Sequence, residues 1–369
     1  MTLTLTFSVL LIGAVIAQGI LAAALLFLQQ YNAKANRFLG LLVLLFSLWL
    51  CDTFFSIGNL YQQDPNLYFL PIYYSFAFGP LVYFYTKSIT QQDFKFSKKD
   101  YWHFLPVLLQ ASLYIFLQCS DYNFRRWFWF EVHFPYTYNL EFHLSLLSLL
   151  VYLYLSYQLI QTYQNWIKNY YSEISTINLS WLKRVLVYLA IVCVFWSIDS
   201  ILRAFWHYYS DQPFSAIAMG FVILALAIGG LVQIDLANKG IKNDMPELPT
   251  SKQEELDQQV LSKIKAIMTK QKPHLNPNLT LEAFAKMVKL PTRQVSTHIN
   301  HGFNQSFIDF INQYRVEAVK QHLQNNDLQQ LTLLGIALES GFNSKSTFNR
   351  VFKKMTGESP SAYQKRLKT

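Results

Sequence analysis

The feature that most constrains this chain is a series of long, nearly uncharged apolar runs in its first two-thirds. The first run, from Leu5 to Leu28, has no ionisable residue, and at about 1.5 Å per residue it is long enough to cross a ~30 Å hydrocarbon core. Six further runs give seven predicted spans, at about residues 5–28, 38–60, 68–89, 102–119, 140–163, 182–206 and 214–236. Because lipid offers a backbone no hydrogen-bond partner, these runs predict a bundle of seven transmembrane helices.

Charge is distributed unevenly along the chain. Residues up to Leu236 include 12 Lys or Arg residues and 11 Asp or Glu residues, a net charge of +1. The residues after Leu236 include 19 Lys or Arg residues and 11 Asp or Glu residues, so nearly all of the formal net charge of +9 lies in the last third. The composition predicts a membrane domain over residues 1–236, a cytoplasmic linker with Pro and Gly over 237–253, and a soluble basic domain over 254–369.

The connections between spans predict the orientation. Basic residues concentrate in the first, third and fifth connections: Lys34, Arg37, Lys87, Lys95, Lys98, Lys99, Lys168, Lys183 and Arg184. The alternate connections hold only Arg125 and Arg126. The positive-inside rule therefore places the N-terminus outside a bacterial inner membrane and the C-terminal domain in the cytoplasm.

Ionisable residues within spans are candidates for a ligand site, because burying them in lipid is costly. Those assigned to a candidate pocket are Asp52, Glu141, His143, Asp199 and Arg203. Their positions predict a polar pocket in the outer half of the membrane for a small-molecule or envelope signal. The alternative is an internal ion pair between Asp199 and Arg203, with the other residues meeting water at the interface.

Residues 331–354 predict two short helices around a tight turn. Gly341 stands where the first helix must end, and glycine readily adopts the left-handed conformation that such a turn needs. In the second helix Phe348, Val351, Phe352 and Met355 form one apolar face, which leaves a cationic face opposite. This pattern is typical of a helix-turn-helix that enters the major groove, although an ordinary helical hairpin with a solvated basic face has the same pattern.

A similar pattern occurs about fifty residues earlier, over residues 279–301. Thr280 is the predicted N-cap of its first helix, and Val295 and Ile299 form the inner face of its second. A longer helix over 307–323 would hold the two units at fixed spacing. The sequence thus predicts an all-α protein: a transmembrane bundle followed by a helical domain with helix-turn-helix units at about 279–301 and 331–355.

Two such units joined by the motif Phe310-Ile311-Asn312-Gln313-Tyr314-Arg315-Val316-Glu317-Ala318, followed by Gly341-Phe342-Asn343-Ser344 and Thr356-Gly357-Glu358-Ser359-Pro360, resemble the AraC/XylS family of transcription regulators. The chain departs from the family pattern at Lys289 and Asn304, where the family often has Gly. The seven-span region is similar to the membrane sensor halves that some members carry.

The resemblance implies two recognition helices that enter successive major grooves on one face of the DNA. It places these residues at the DNA: Arg293, Ser296, Thr297 and Asn300 in the first unit, and Lys345, Ser346, Thr347, Asn349 and Arg350 in the second. Arg can bind guanine bidentately and Asn can bind adenine in the same way. Lys353 and Lys354 are expected to hold phosphates.

No catalytic constellation is evident, so we predict that the chain is not an enzyme and needs no cofactor or metal. It has no Walker-type or GxGxxG loop and no HExxH, and Cys51, Cys119 and Cys193 are dispersed. The interpretation is a membrane-bound one-component transcription regulator. Its expected partners are promoter DNA, the lipid bilayer, a second copy of the chain and, if it is an activator, RNA polymerase. The alternative is a transporter or membrane enzyme with a regulatory DNA-binding appendage.

Overall fold

A computed structural model describes residues 6–64, 66–67, 70–91, 94–206, 214–233, 256–325 and 331–367. Over these residues the regular structure is helical and contains no strand, which confirms the prediction of an all-α protein. The chain forms two compact units: Met1–Gln161 with Leu179–Asp244 is the N-terminal unit, and Thr162–Asn178 with Met245–Thr369 is the C-terminal unit. The predicted linker, 237–253, lies outside the described residues.

The N-terminal unit contains nine α-helices within its described part, and the seventh continues into the C-terminal unit. They are α1 Phe7–Leu28, α2 Ala33–Ile57, α3 Leu60–Gln63, α4 Phe78–Thr90, α5 Leu105–Cys119, α6 Tyr122–Trp127, α7 Tyr138–Tyr170, α8 Ser180–Trp206 and α9 Phe214–Val232. Small residues allow α1 and α2 to approach closely: a Cβ at Gly40 would lie 3.3 Å from the carbonyl oxygen of Ala23. Small residues have this role in helix packing within membranes.

Among the described residues, five helical stretches are long and apolar enough to cross a membrane, so the prediction of seven spans is not confirmed. They are Phe7–Leu28, Ala33–Ile57, Lys98–Cys119, Tyr122–Tyr170 and Ser180–Leu202. Over the predicted third span, α4 has 13 residues, or about 20 Å, because it begins only after Pro71 and a 3-10 turn at Ser75–Ala77. Over the last predicted span the apolar helix Ala216–Val232 is also shorter.

The aromatic segment 122–138, most of which falls in the connection between the predicted spans 102–119 and 140–163, is helical. Asp121 caps α6 by accepting a hydrogen bond from the Phe124 N–H, and a π-helix over Phe128–Thr137 then leads directly into α7. Pro135 lies inside the π-helix and has no N–H to donate. The connection is therefore helical even though it contains a proline.

The C-terminal unit holds seven further helices in its described part. They are α10 Gln258–Gln271, α11 Leu281–Val288, α12 Thr292–Thr297, α13 Phe307–Gln324, α14 Leu333–Glu339, α15 Lys345–Thr356 and α16 Pro360–Leu367. We call α11 with α12 the first pair, and α14 with α15 the second pair.

Each pair has its own hydrophobic core, and α13 contributes to both. Phe307, Phe310 and Ile311 join the core that contains α10 and the first pair. Val316, Val319 and Leu323 join the core that contains the second pair. Because one helix supplies side chains to both cores, α13 fixes the spacing of the two pairs, as the sequence predicted.

Candidate nucleic-acid interface

The second pair forms because each of its helices has an N-cap and an apolar face. Thr332 caps α14 by accepting a hydrogen bond from the Gly335 N–H, and Ser344 caps α15 by accepting one from the Thr347 N–H. Such caps satisfy backbone donors that the first turn of a helix leaves free. Between the helices Gly341 has φ 89°, so the predicted left-handed conformation is confirmed.

The two faces of α15 divide as the periodicity predicts. Phe348, Val351 and Phe352 are buried, and Met355 packs against them at the edge of the core. The opposite face exposes six of the predicted DNA-binding residues: Lys345, Ser346, Asn349, Arg350, Lys353 and Lys354. This helix therefore presents four cations and two further hydrogen-bonding side chains on one exposed face.

Thr347 lies apart from this face. It is only 7% exposed, and its hydroxyl accepts a hydrogen bond from the Ser344 hydroxyl at 3.1 Å. The neighbouring Ser346 is exposed, and its hydroxyl lies 3.2 Å from that of Ser344. The observed contacts of Thr347 are thus those of the N-terminal cap of α15.

The first pair reaches a similar arrangement with different residues. Thr280 caps α11 by accepting a hydrogen bond from the Ala283 N–H at 3.1 Å, which confirms the predicted N-cap. Lys289 ends that helix with φ 57°, and Asn304 follows the second helix with φ 51°. Both residues therefore adopt the left-handed conformation at the positions where the family pattern favours Gly.

The second helix of the first pair changes pitch along its length. It begins as α12 and continues as a π-helix over His298–Gly302. Val295 and Ile299 are buried, as predicted. Of the predicted DNA-binding residues, Arg293 is exposed and Ser296, Thr297 and Asn300 are half-buried. The Asn300 side-chain amide donates to the Ser296 hydroxyl at 3.3 Å, so these two side chains form one polar site.

Lys354, one of the two predicted phosphate contacts, forms an ion pair. Its Nζ lies 2.7 Å from Oδ1 of Asp309 at the start of α13, and both side chains are partly exposed. Burial alone would raise the pKa of Asp309, but the hydrogen bonds from Lys354 and Ser306 and the Lys354 charge outweigh it, and the net pKa is lowered. Exposed ion pairs of this kind contribute little to protein stability. The adjacent lysine, Lys353, is also exposed on α15.

The most deeply buried charged residue in the described part of the C-terminal unit was not among the predicted site residues. Arg315 on α13 is 1% exposed and lies where the two cores meet. Its guanidinium donates to the carbonyl oxygens of His274, Asn276 and Ser172 at 2.9, 2.9 and 3.1 Å. Burial lowers its pKa to about 10, so it remains charged at neutral pH. Its position inside the family-like motif was the available clue in the sequence.

In the N-terminal unit, two of the predicted ligand-binding residues share a cluster of polar and aromatic residues. The Tyr61 hydroxyl donates to Asp52 at 2.6 Å, and the Gln110 amide donates to Glu141 at 2.5 Å. Tyr73 interacts with Asp52 and stacks on Tyr114, with ring centroids 5.6 Å apart. We call these six residues the acidic cluster.

Gln110 was not among the predicted site residues, and no motif marks it. It is 5% exposed, and its Oε1 has no hydrogen-bond partner among the described residues. Its amide nitrogen also donates to the Ser75 hydroxyl at 3.1 Å. The acidic cluster therefore includes a buried acceptor that remains unsatisfied.

The other three predicted ligand-binding residues lie elsewhere or are not described. His143 is exposed on α7 and contacts the ring of Phe142. Asp199 and Arg203 lie on α8, and their side chains are outside the described part of the structure.

Comparison with known proteins adds one finding. Residues 284–366, which begin within α11 and end within α16, match a family model described as a helix-turn-helix domain. No curated protein and no solved structure matches the chain. The match supports a DNA-binding regulator of the AraC type in this part of the chain.

Proposed function

We propose that the protein is a membrane-bound one-component transcription regulator. The C-terminal unit binds promoter DNA sequence-specifically through two helix-turn-helix units, which are the first and second pairs. The N-terminal unit spans the bacterial inner membrane, senses a signal and changes the DNA binding of the same polypeptide. In this proposal the chain has no enzymatic activity.

The exposed face of α15 is the observation that carries the proposal. It presents Lys345, Arg350, Lys353 and Lys354 opposite a fully packed apolar face. DNA binding draws most of its affinity from cations placed against phosphates, and Arg reads guanine through two parallel hydrogen bonds. Because Phe348 and Phe352 fix the helix to its own core, its backbone loses little conformational entropy on binding.

A binding-site selection tests DNA recognition directly. Full-length protein in lipid nanodiscs would be mixed with fragmented genomic DNA, and the enriched sites would then be footprinted. We expect protection of two adjacent major grooves on one face of the duplex. Enrichment of no sequence over random DNA would contradict the proposal.

A matched pair of lysine variants controls for loss of charge. Lys353→Ala removes a cation from the proposed interface, whereas Lys320→Ala removes one from α13, outside both pairs, where it pairs with Glu317 at 3.4 Å. We expect weaker DNA binding only for the first variant.

The acidic cluster supports the sensing role. Asp52 and Glu141 are half-buried among tyrosines, and the adjacent Gln110 Oε1 has no hydrogen-bond partner within the described part of the chain, so a ligand with hydrogen-bond donors is the chemical class that fits. The Asp52→Asn and Glu141→Gln variants should abolish signal-dependent transcription of a reporter while DNA binding in vitro is retained. Unchanged responsiveness in both would contradict this assignment.

A further inference from the structure

The C-terminal unit includes a piece of chain that is remote in sequence from the DNA-binding helices. It comprises the end of α7 from Thr162 onward and the segment that follows it to Asn178. Helix α7 has 33 residues, or about 50 Å, which exceeds a ~30 Å hydrocarbon core by several turns. The helix is therefore long enough to cross the bilayer and still end within the C-terminal unit.

Residues 170–173, which we call the coupling segment, are held against the turn before α11. Tyr171 forms an isolated antiparallel bridge with Thr280. The Ser172 N–H and hydroxyl both donate to the carbonyl oxygen of Leu279, at 3.2 and 2.7 Å, and Ser172 is 2% exposed. Tyr170 packs against the core of the first pair. This is a specific docked contact, because backbone, hydroxyl and aromatic groups all have partners.

Arg315 completes the contact from the other side. Its guanidinium donates to the carbonyl oxygen and to the hydroxyl of Ser172, both at 3.1 Å. A buried guanidinium needs an acceptor for each of its N–H groups, since an unsatisfied buried charge is costly. The coupling segment supplies two of these acceptors, so its departure would leave the Arg315 charge partly unsatisfied.

The surface on which the segment docks is the junction between the two pairs. Residues 274–280 end at Thr280, the cap of α11. Gly341, in the turn of the second pair, lies so close to the carbonyl of His274 that a Cβ would clash with it. The Asn343 amide donates to the Pro277 carbonyl at 3.4 Å. Whatever moves this junction therefore changes how the two pairs are placed relative to each other.

We propose that the coupling segment transmits the state of the N-terminal unit to the DNA-binding helices by docking on this junction through Arg315. Docking fixes the relative placement of the two proposed recognition helices, and a movement of α7 that withdraws Ser172 releases it. The inference rests on the proposed function, because it assigns a route for the regulation that the function requires. A switch of this kind needs two arrangements that the signal stabilises to different degrees.

Cysteine accessibility tests the docking without reference to transcription. The three native cysteines, Cys51, Cys119 and Cys193, would first be replaced by Ala in the full-length protein. A single cysteine would then be introduced by Ser172→Cys or Ser175→Cys, and each variant would be labelled with a maleimide in nanodiscs. Ser175 is exposed three residues further on and serves as the matched control. We expect Cys at 172 to react at least about tenfold more slowly than Cys at 175. Adding Arg315→Lys, which cannot make the forked contacts, should abolish most of that difference. Equal rates in the parent background would overturn the docking.

Linkage to DNA provides the second arm. If docking and DNA binding are coupled, each must affect the other by the same factor. Saturation with a footprinted promoter site should therefore change the labelling rate at position 172 by at least about threefold and leave that at 175 unchanged. If DNA does not change the labelling rate at position 172, docking and DNA binding are not coupled, but the protein can still bind DNA.

A bulky substitution separates a regulatory contact from a merely structural one. Ser172→Leu lies outside the helix-turn-helix sequences and should displace the segment, with Ser175→Leu as its control. We expect Ser172→Leu to weaken binding to a complete site at least about tenfold and binding to either isolated half-site less than about twofold. Equal weakening on all three DNAs, or none, would overturn the proposal. If the protein without the Ser172→Leu change fails to distinguish promoter DNA from random DNA, the proposed function is contradicted. The cysteine-labelling experiment would still test the docking, because it does not depend on DNA binding.

Discussion

The first pair has Lys289 and Asn304 at its left-handed positions, with φ 57° and 51°, whereas the second pair has Gly341 and Gly357, with φ 89° and 83°. The side chains of Lys289 and Asn304 are exposed, so each needs only a tolerable backbone conformation. Gly341 differs because the His274 carbonyl occupies the place of a Cβ, whereas nothing lies within 4 Å of one at Gly357. At position 341, glycine is thus required because there is no room for a Cβ. At positions 289, 304 and 357, glycine is favoured only by the left-handed backbone conformation.

The pairs also differ in charge. Helix α15 exposes four cations, whereas the exposed cation among the predicted contacts of the first pair is Arg293. If both pairs bind DNA, the second supplies most of the electrostatic affinity, and the first depends more on hydrogen bonds from Ser296, Thr297 and Asn300.

The largest expected effect separates the two glycines of the second pair. Gly341→Ala should destabilise the C-terminal unit by on the order of 3 kcal/mol or more, because a backbone clash adds to conformational strain. Gly357→Ala should cost about 1 kcal/mol, since only the strain applies. Urea unfolding of the full-length protein, followed by far-ultraviolet circular dichroism, measures both. Equal losses would show that the close approach to His274 has no energetic weight.

The junction should also make the unit sensitive to acid. Burial, with the nearby charges of Arg315 and Lys272, lowers the pKa of His274 to about 4, and its Nδ1 has no partner among the described residues. The unfolded chain, with a pKa near ~6.5, binds more protons below that pH, so stability should fall by roughly 2–3 kcal/mol as pH drops from ~6.5 to ~4. His298, in the second helix of the first pair, differs from His274 because both of its ring nitrogens have hydrogen-bond partners.

The His274→Gln variant should flatten this profile, and the exposed His301→Gln should leave it as it is. Denaturant midpoints across the pH range provide the measurement. A profile that keeps its slope in His274→Gln would assign the acid sensitivity to another group.

Sequence readout is expected to depend on one arginine in each pair. Arg350→Ala should cost about 1–3 kcal/mol at its base position within the second half-site, and Arg293→Ala should act in the same way within the first. Binding to sites with single base-pair replacements locates each effect. Equal loss on specific and random DNA would show that the arginine contacts phosphate instead of a base.

The two adjacent lysines of α15 should differ in their salt dependence. Lys353→Ala should weaken binding to all sequences and lower the slope of log affinity against log salt by about one. Lys354→Ala should have a smaller effect, because its Nζ is paired with Asp309. Asp309→Asn, which frees that lysine, should make the two alanine variants equivalent. If Lys353→Ala and Lys354→Ala have equal effects while Asp309 is still present, the ion pair does not compete with DNA for Lys354.

The smallest effect concerns the turn of the first pair. Lys289→Gly relieves the left-handed strain of a residue with a Cβ but increases the freedom of the unfolded chain, so we expect a net stabilisation of about 0.5 kcal/mol. The urea midpoint measures this change. A destabilisation would show that the aliphatic part of the Lys289 side chain contributes packing.

The sequence predicted much of the interface because the relevant physics is local. The spacing of Phe348, Val351 and Phe352 sets the buried face of α15, and Thr280 caps α11 because a hydroxyl there reaches an N–H three residues on. The resemblance placed Thr347 at the DNA, whereas helical periodicity puts it one turn before Val351, on the buried side of α15, where it is found. Over residues 121–138, aromatic residues and a proline did not by themselves indicate the π-helix.

The sequence by itself determined that the chain is all-helical, that its apolar runs precede a basic domain, and that α15 presents cations opposite its core. Only the tertiary structure brought Ser172 to Arg315, 143 residues away, and Asp309 to Lys354, 45 residues away. Helical periodicity and caps act within a few residues, whereas a buried guanidinium takes its acceptors from any part of the chain that the packing brings near it. For that reason Arg315 was visible in the sequence only as one member of a motif, and its partner in the coupling segment appeared only with the fold.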